Sequence, residues 1–295
     1  METLELLLRT VWLRPYVFVF MATFLFMAVP AWGWRRTLLY MVIGYGVAWA
    51  CEYSSIHNGF PFGLYEYVSQ PTIDKELSVA GVPFMDSLSF VFLNFAGLQV
   101  ARLAVEPLAR GPRGAWDFRW AQPARLPDWR VWILGALLTM GLDWVIDPVA
   151  LQGHRWFLGD IYNYVHGGEY FGVPWTNFGG WLFVALMVIG IFLLVDRWLL
   201  RGRAQGAAIR RGWGDWRSYP ADALVGAGLF VGVLAFNLGI TFGIGETVMG
   251  LVGCLWAAAM VEPVVLRVIA MLRPATAPVC GAAAATDVEP SQEPV

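Results

Sequence analysis

Seven apolar runs punctuate the chain, at about residues 15–33, 37–54, 83–105, 131–152, 178–200, 221–242 and 246–270, with Gly, Pro and charge gathered between them. A helix crossing the hydrocarbon core needs roughly 20 predominantly apolar residues. The pattern therefore predicts an all-α integral membrane protein, a bundle of about seven transmembrane helices joined on one side by two aromatic-rich outer loops. The second run is the weakest, being short and Gly-rich. The first follows Arg9 and Arg14 and has the layout of a secretory signal. Its apolar stretch continues to Trp34 without a small-x-small cleavage site, so it reads as an anchor. Residues 1–273 read as a single transmembrane domain. The Pro/Ala-rich stretch 274–295, "PATAPVCGAAAATDVEPSQEPV", has no apolar period and reads as a disordered tail.

Composition agrees with this pattern: 58% of residues are hydrophobic, 14% are charged, and there are 16 tryptophans. A soluble domain carries nearly twice that share of charge. The net charge of −2 implies no particular partner. Six basic residues fall in each of the segments 102–130 and 197–217. The positive-inside rule turns both toward the cytoplasm and leaves no reason to invoke nucleic acid. The expected topology is multi-pass in the cell membrane, N-terminus outside and C-terminus inside, with Arg9 and Arg14 as exceptions on the outer side. Cys51, Cys254 and Cys280 show no CxxC spacing, so neither a disulfide framework nor a zinc site is expected.

That orientation sorts the polar residues by leaflet. Glu52 closes the second run, Asp86 opens the third, and Asp143 and Asp147 lie in the outer third of the fourth. Asn177 starts the fifth, Asn237 is in the outer half of the sixth, and Glu246 opens the seventh. A carboxylate at membrane depth costs roughly 2.5–3.5 kcal/mol unless it is paired, neutral or facing a wet cavity. Acids gathered on one leaflet point to a shared cavity open to the outside. Helix ends are cheaper than centres, so solvated interfacial acids are the bland alternative.

"MGLDWVIDPVALQG" tells against that alternative. Asp143 and Asp147 are four apart and project from one helical face. Two such carboxyls at low dielectric hold a proton between them, which is a proton donor's arrangement. Pro148 frees a carbonyl inside the membrane, which a neighbouring group must satisfy. Asp86 follows Pro83 in "GVPFMDSL" and would serve equally as a helix N-terminal acid. His57, His154 and His166 fall in outer loops without HxH or HxxxH spacing, so hydrogen bonds to loop backbone are expected rather than a metal.

An internal echo runs through the outer side. "GVPFMD" (81–86) and "GVPWTN" (172–177) each follow an aromatic-rich loop, "FPFGLYEY" and "GDIYNYVHGGEYFG", and each loop follows a helix ending in acids. Two helix–loop–helix units packing about a pseudo-twofold around one site would produce it.

Taken in order, Glu52, "GFPFG" with Tyr65-Glu-Tyr67, "GVPFMDSLSF", Asp143-x-x-x-Asp147-Pro148 and "GVPWTNFGGW" resemble the CruF-type carotenoid hydratases, over about residues 40 to 185. The resemblance implies cofactor-independent addition of water to the C-1′,2′ double bond of an acyclic carotenoid ψ end, on a γ-carotene-like, lycopene-like or bacterioruberin-type precursor. Partners would be the lipid-dissolved carotenoid, water and other carotenoid enzymes in the membrane. Acid catalysis would fall to Asp143 or Asp147, with Glu52 and Asp86 handling water and charge. His57, Asn58, Tyr65, Trp144, Trp175, Asn177, Trp181 and Glu246 are candidates for holding water and the end group. A proton-relay transporter and a pigment-binding scaffold are the alternatives from other classes.

Overall fold

The computed structural model describes residues 3–68, 76–106, 108–110, 116–118, 129–200 and 222–272. The expected tail, and most of the two basic loops, lie outside them. Among the described residues, eight α-helices follow one another: α1 (Thr3–Leu13), α2 (Pro15–Trp32), α3 (Trp34–Asn58), α4 (Phe84–Val105), α5 (Trp129–Ala150), α6 (Trp175–Leu200), α7 (Asp222–Gly243) and α8 (Thr247–Leu272). The fold is an all-α membrane bundle, and α2 to α8 stand where the seven apolar runs are.

The count of crossings is less simple. Among the described residues, five helices, α4 to α8, are long and apolar enough to span, and α1 with α2 would make a sixth as a pair bent by 92°. α3 is long at 25 residues, but Arg35 and Arg36 at one end and the polar run from Glu52 to Asn58 at the other dilute its apolar character. The weakness of the second run is therefore real. It comes from a helix that carries site residues.

Helix α4 is the axis of the bundle and packs against α2, α3, α5, α6, α7 and α8. Its closest neighbour is α5, and the reason is local. A Cβ added at Gly97 would come within 2.3 Å of Thr139 Oγ1 and 2.8 Å of the Gly135 carbonyl oxygen, so only glycine permits this spacing. Around α4, α3 and α5 each pack on both α4 and α6, which closes a ring of four helices. Rings packed edge to face join α2 to α4, at Phe24–Phe95 (4.9 Å) and Trp32–Phe95 (5.1 Å), and α3 to α6, at Tyr40–Phe192 (5.0 Å).

Three small two-stranded ribbons join the helices. β2 (Ser78–Val79) pairs with β3 (Val82–Pro83) beside the start of α4, and β4 (Leu108–Arg110) with β5 (Trp116–Phe118) at its far end. The consequential one joins β1 (Tyr65–Tyr67) to β6 (Tyr162–Tyr164), antiparallel, with Tyr65 opposite Tyr164 and Tyr67 opposite Tyr162. The two aromatic-rich loops therefore meet as one cover over the helix ends. The arrangement α3–β1–α4 against α5–β6–α6, with Glu66 facing Asn163 at its centre, has the local twofold that the repeated GVP motifs imply.

Arg14 sits at the break between α1 and α2, and it is no exposed cation. It is buried, with Nε and Nη2 3.0 and 2.5 Å from Glu76 Oε1, and Nη1 donates to the Leu158 carbonyl. The exception that Arg14 makes to the charge rule thus has a structural explanation: it is an internal counter-ion that ties α2 to both outer loops. Leu77 N–H donates to Thr10 Oγ1 at 2.7 Å, which fixes α1 over the same end. Breaking a buried pair by removing one partner costs about 3–5 kcal/mol, because the other charge stays behind. Arg14→Met and Glu76→Gln should each lower the melting temperature in detergent by many degrees. The double replacement of both by Met should recover much of that loss, and a double variant no better than the singles would contradict the pairing.

Candidate active site

Helix termini deliver the acids. Glu52 comes from the last turns of α3, Asp86 from the first turn of α4, Asp143 and Asp147 from the end of α5, and Asn177 from the first turn of α6. Under the β1–β6 cover, all but Asp143 border one cavity of about 150 Å³. Glu52, Asp86, Asp147 and Asn177 face it, between walls that include Phe62, Phe90 and Trp181.

The acids are held by short polar contacts. Asn177 Nδ2 bridges the pair on α5, 2.6 Å from Asp143 Oδ2 and 2.7 Å from Asp147 Oδ2. The two carboxyl groups are also in hydrogen-bonding contact with each other. Tyr164 hydroxyl donates to Asp147 Oδ2 at 3.0 Å. Ser87 Oγ donates to Glu52 Oε2 at 2.5 Å, and Asp86 is hydrogen-bonded to Tyr67. One buried polar atom in this cluster, Asp143 Oδ1, has no partner among the described residues, while the Tyr162 hydroxyl is in hydrogen-bonding contact with Asp147. Unpaired buried polar atoms are costly, and they mark places where a proton or a ligand atom fits.

The covering loop explains itself locally. α3 ends at Gly59, whose φ of 80° is left-handed and whose N–H caps Ser55. The chain turns back through a cis Phe60–Pro61 peptide, and Phe62 N–H donates to Ser55 Oγ at 3.0 Å. Phe62 then lies against α6, where a Cβ at Gly180 would come 2.4 Å from its ring. Phe90 and Trp181 continue that wall, their ring centroids 4.3 Å apart. Pro148 frees the Trp144 carbonyl within α5, and Tyr170 hydroxyl takes it up at 3.2 Å.

Seven of the residues singled out in the sequence come together here. Glu52, Asp86, Asp147, Tyr65, Asn177 and Trp181 line the cavity, and Asp143 stands directly behind its wall. Five stand apart. His57 Nδ1 contacts the Tyr53 carbonyl, and Asn58 Oδ1 accepts from Phe60 N–H. Trp144 and Trp175 belong to a second aromatic cluster with Tyr170, Phe178 and Trp256. Glu246 pairs with Arg155 at the α7–α8 turn. Sequence reasoning missed Ser87, the chemical use of Tyr67, Tyr162 and Tyr164, and the contributions of Tyr16 and Phe236. A signal for the tyrosines existed, since Tyr-x-Tyr-Val occurs at both 65–68 and 162–165. Alternation along a strand turns both tyrosines of each copy to one face.

Burial, and then the neighbouring carboxylates, hold the hydroxyls of Tyr65, Tyr67, Tyr162 and Tyr164 well above the ordinary value of 10.0. They stay neutral and keep their protons to donate. Among the described residues, no three His, Cys, Asp or Glu side chains converge as a metal site.

The fold and site define a membrane-embedded helical bundle built around an apolar cavity with acids at one end. The chain belongs to a family described as carotenoid biosynthesis protein, whose model matches residues 13–257. No curated protein matches it, and no solved structure does.

The raised tyrosine values have a readable consequence. A group whose folded value lies above its unfolded one stabilises fully below the unfolded value, and that stabilisation is lost as pH climbs toward the folded value. Stability should therefore fall from about pH 10 upward. Tyr164→Phe should show a shallower alkaline decline in melting temperature. Tyrosinate absorbance from the ribbon should appear only on unfolding, so its appearance in folded protein near pH 10 would count against the buried arrangement.

Proposed function

We propose that this protein hydrates carotenoids, adding water across the C-1′,2′ double bond of an acyclic ψ end to give a tertiary alcohol. The observation that carries this reading is a single cavity, in a carotenoid biosynthesis protein, where carboxyl groups from three helices meet an otherwise aromatic wall.

The chemistry makes that demand. A trisubstituted alkene is a weak base, so it needs an acid held out of water and close by. A proton from the Asp143–Asp147 pair passes to the less substituted carbon, C-2′, and leaves a tertiary cation at C-1′. The carboxylate just formed, with the ring faces of Phe90 and Trp181, lowers the energy of that cation. Water adds to C-1′, and its surplus proton passes to Glu52 or Asp86. Proton return through the tyrosine hydroxyls restores the acid. The balance is alkene plus water to alcohol, with no electrons to supply.

Each contact fits a task. Asn177 orients both aspartates, Tyr164 holds Asp147, and Ser87 fixes Glu52. The Tyr162 hydroxyl lines the cavity beside Asp147, where reactant water would lie. The site is placed toward the outside of the cell membrane, with the basic segments cytoplasmic, on the charge asymmetry alone. A through-membrane path for ions finds less support, because the rings packed about Phe95 fill the bundle beyond the cavity.

In cells making lycopene or γ-carotene, expression should yield a pigment heavier by one water. Unchanged pigment co-purifying with the protein would favour a binding role. Asp143→Asn and Asp147→Asn should each lower conversion by about 10²-fold or more, the usual worth of a positioned acid. Full activity in both variants would sink the assignment.

A further inference from the structure

The cavity has two ends of opposite chemistry. Its polar end, under the tyrosine ribbon, is the site just described. Its other arm runs between α2, α4 and α7 and is lined by Phe20, Phe92, Leu93, Val233 and Phe236. The polar side chain of Asn237 borders it, but Asn237 Nδ2 is already committed to the Val233 carbonyl at 2.9 Å. The other side chains offer ring faces and aliphatic carbon.

What closes the arm is a small group of aromatic rings. Phe236 stacks on Tyr16 at 5.2 Å and meets Phe20 edge-on at 5.9 Å. Phe157, 57% exposed, lies beside both Tyr16 and Phe236. Elsewhere on these two helices, Val19 (62%) and Val231 (45%) are exposed on the bundle's outer surface, where lipid would lie. A way from the acids to lipid between α2 and α7 would pass Phe236, which packs on both Tyr16 and Phe20.

We propose that this arm is a lateral portal for a rigid, linear polyene dissolved in lipid, and that Phe236 sets which substrates pass. The inference rests on the hydration reading and specifies how its substrate is admitted. A C40 polyene is comparable in length with the roughly 30 Å hydrocarbon core of the bilayer. It is far longer than the enclosed part of the cavity, so only its end can reach Asp147, and it must arrive end-first. The conjugated chain stays behind in the arm, flanked by Phe20 and Phe236, and its transfer from lipid to this apolar wall exposes no polar group. An open acyclic end is more slender than a cyclised one, so a constriction between packed rings favours its passage. The portal itself thereby selects the acyclic end of a one-ringed carotenoid.

The test compares a lycopene-like polyene with a short acyclic isoprenoid alkene bearing the same terminal double bond. Both are presented to purified protein in detergent, with rates expressed per mole of monodisperse material. Phe236→Trp should lower kcat/KM for the polyene at least tenfold relative to the short alkene, and Phe236→Ala should move that ratio the other way. A parallel change for both substrates, or no change, overturns the portal. Retention of unreacted polyene by the protein is measured alongside. If the wild type retains polyene without hydrating it and Phe236→Trp releases it, the portal stands and the hydration reading falls. Equal retention by both proteins overturns the portal whatever the activity.

Discussion

Everything at the outer end of this bundle follows from one constraint: acids brought to membrane depth must be given hydrogen-bond donors. Asp143 is fully buried, and Glu52 and Asp147 nearly so. Each unsatisfied carboxyl oxygen there would cost more than a typical hydrogen bond returns. The donors come from other elements: Asn177 from α6, Ser87 from α4, and Tyr67 and Tyr164 from the ribbon. Satisfying the acids therefore locks α3, α4, α5 and α6 and both loops into one arrangement. The polar cluster is at once the candidate site and a clamp of the fold.

The twofold arrangement gives economy of a physical kind. Each half supplies a helix ending in acid, a Tyr-x-Tyr strand and a Gly-Val-Pro helix start, and the two strands pair antiparallel over the junction. The halves then diverge where chemistry needs it. One carries Glu52 with Ser87 and Asp86, and the other carries the Asp143–Asp147 pair with Asn177 in the position that Asp86 occupies in its own half. A symmetric cage with unlike acids on its two sides suits a reaction that gives a proton on one side and takes one on the other. Arg14 and Glu76 stand outside this symmetry and hold α2 against the loops.

Much of this was legible along the chain. Run lengths place α2 to α8 within a few residues of where they lie, because burying about 20 apolar residues in lipid leaves the backbone little choice but helix. The Asp143–Asp147 spacing marks one helical face, and α5 bears that out. Pro148 implies a freed carbonyl, and Tyr170 takes it. α1 was not legible, since its apolar residues merge with the first run. The 92° break at Arg14–Pro15 depends on Arg14 finding Glu76, which is 62 residues away.

Periodicity and composition were enough by themselves to determine a helical membrane bundle, acids gathered at one end of it, and a repeated motif. These are local properties, set by the transfer of side chains to lipid and by the helical repeat. Only the tertiary structure decided which acids share a cavity and which polar residues stand apart. It alone paired Tyr65 with Tyr164, sent Arg14 inward, left His57 and Glu246 at the periphery, and opened the apolar arm beside Phe236. Those outcomes depend on contacts between residues tens to more than two hundred positions apart. No local pattern encodes such contacts, because their free energy exists only once the helices have packed.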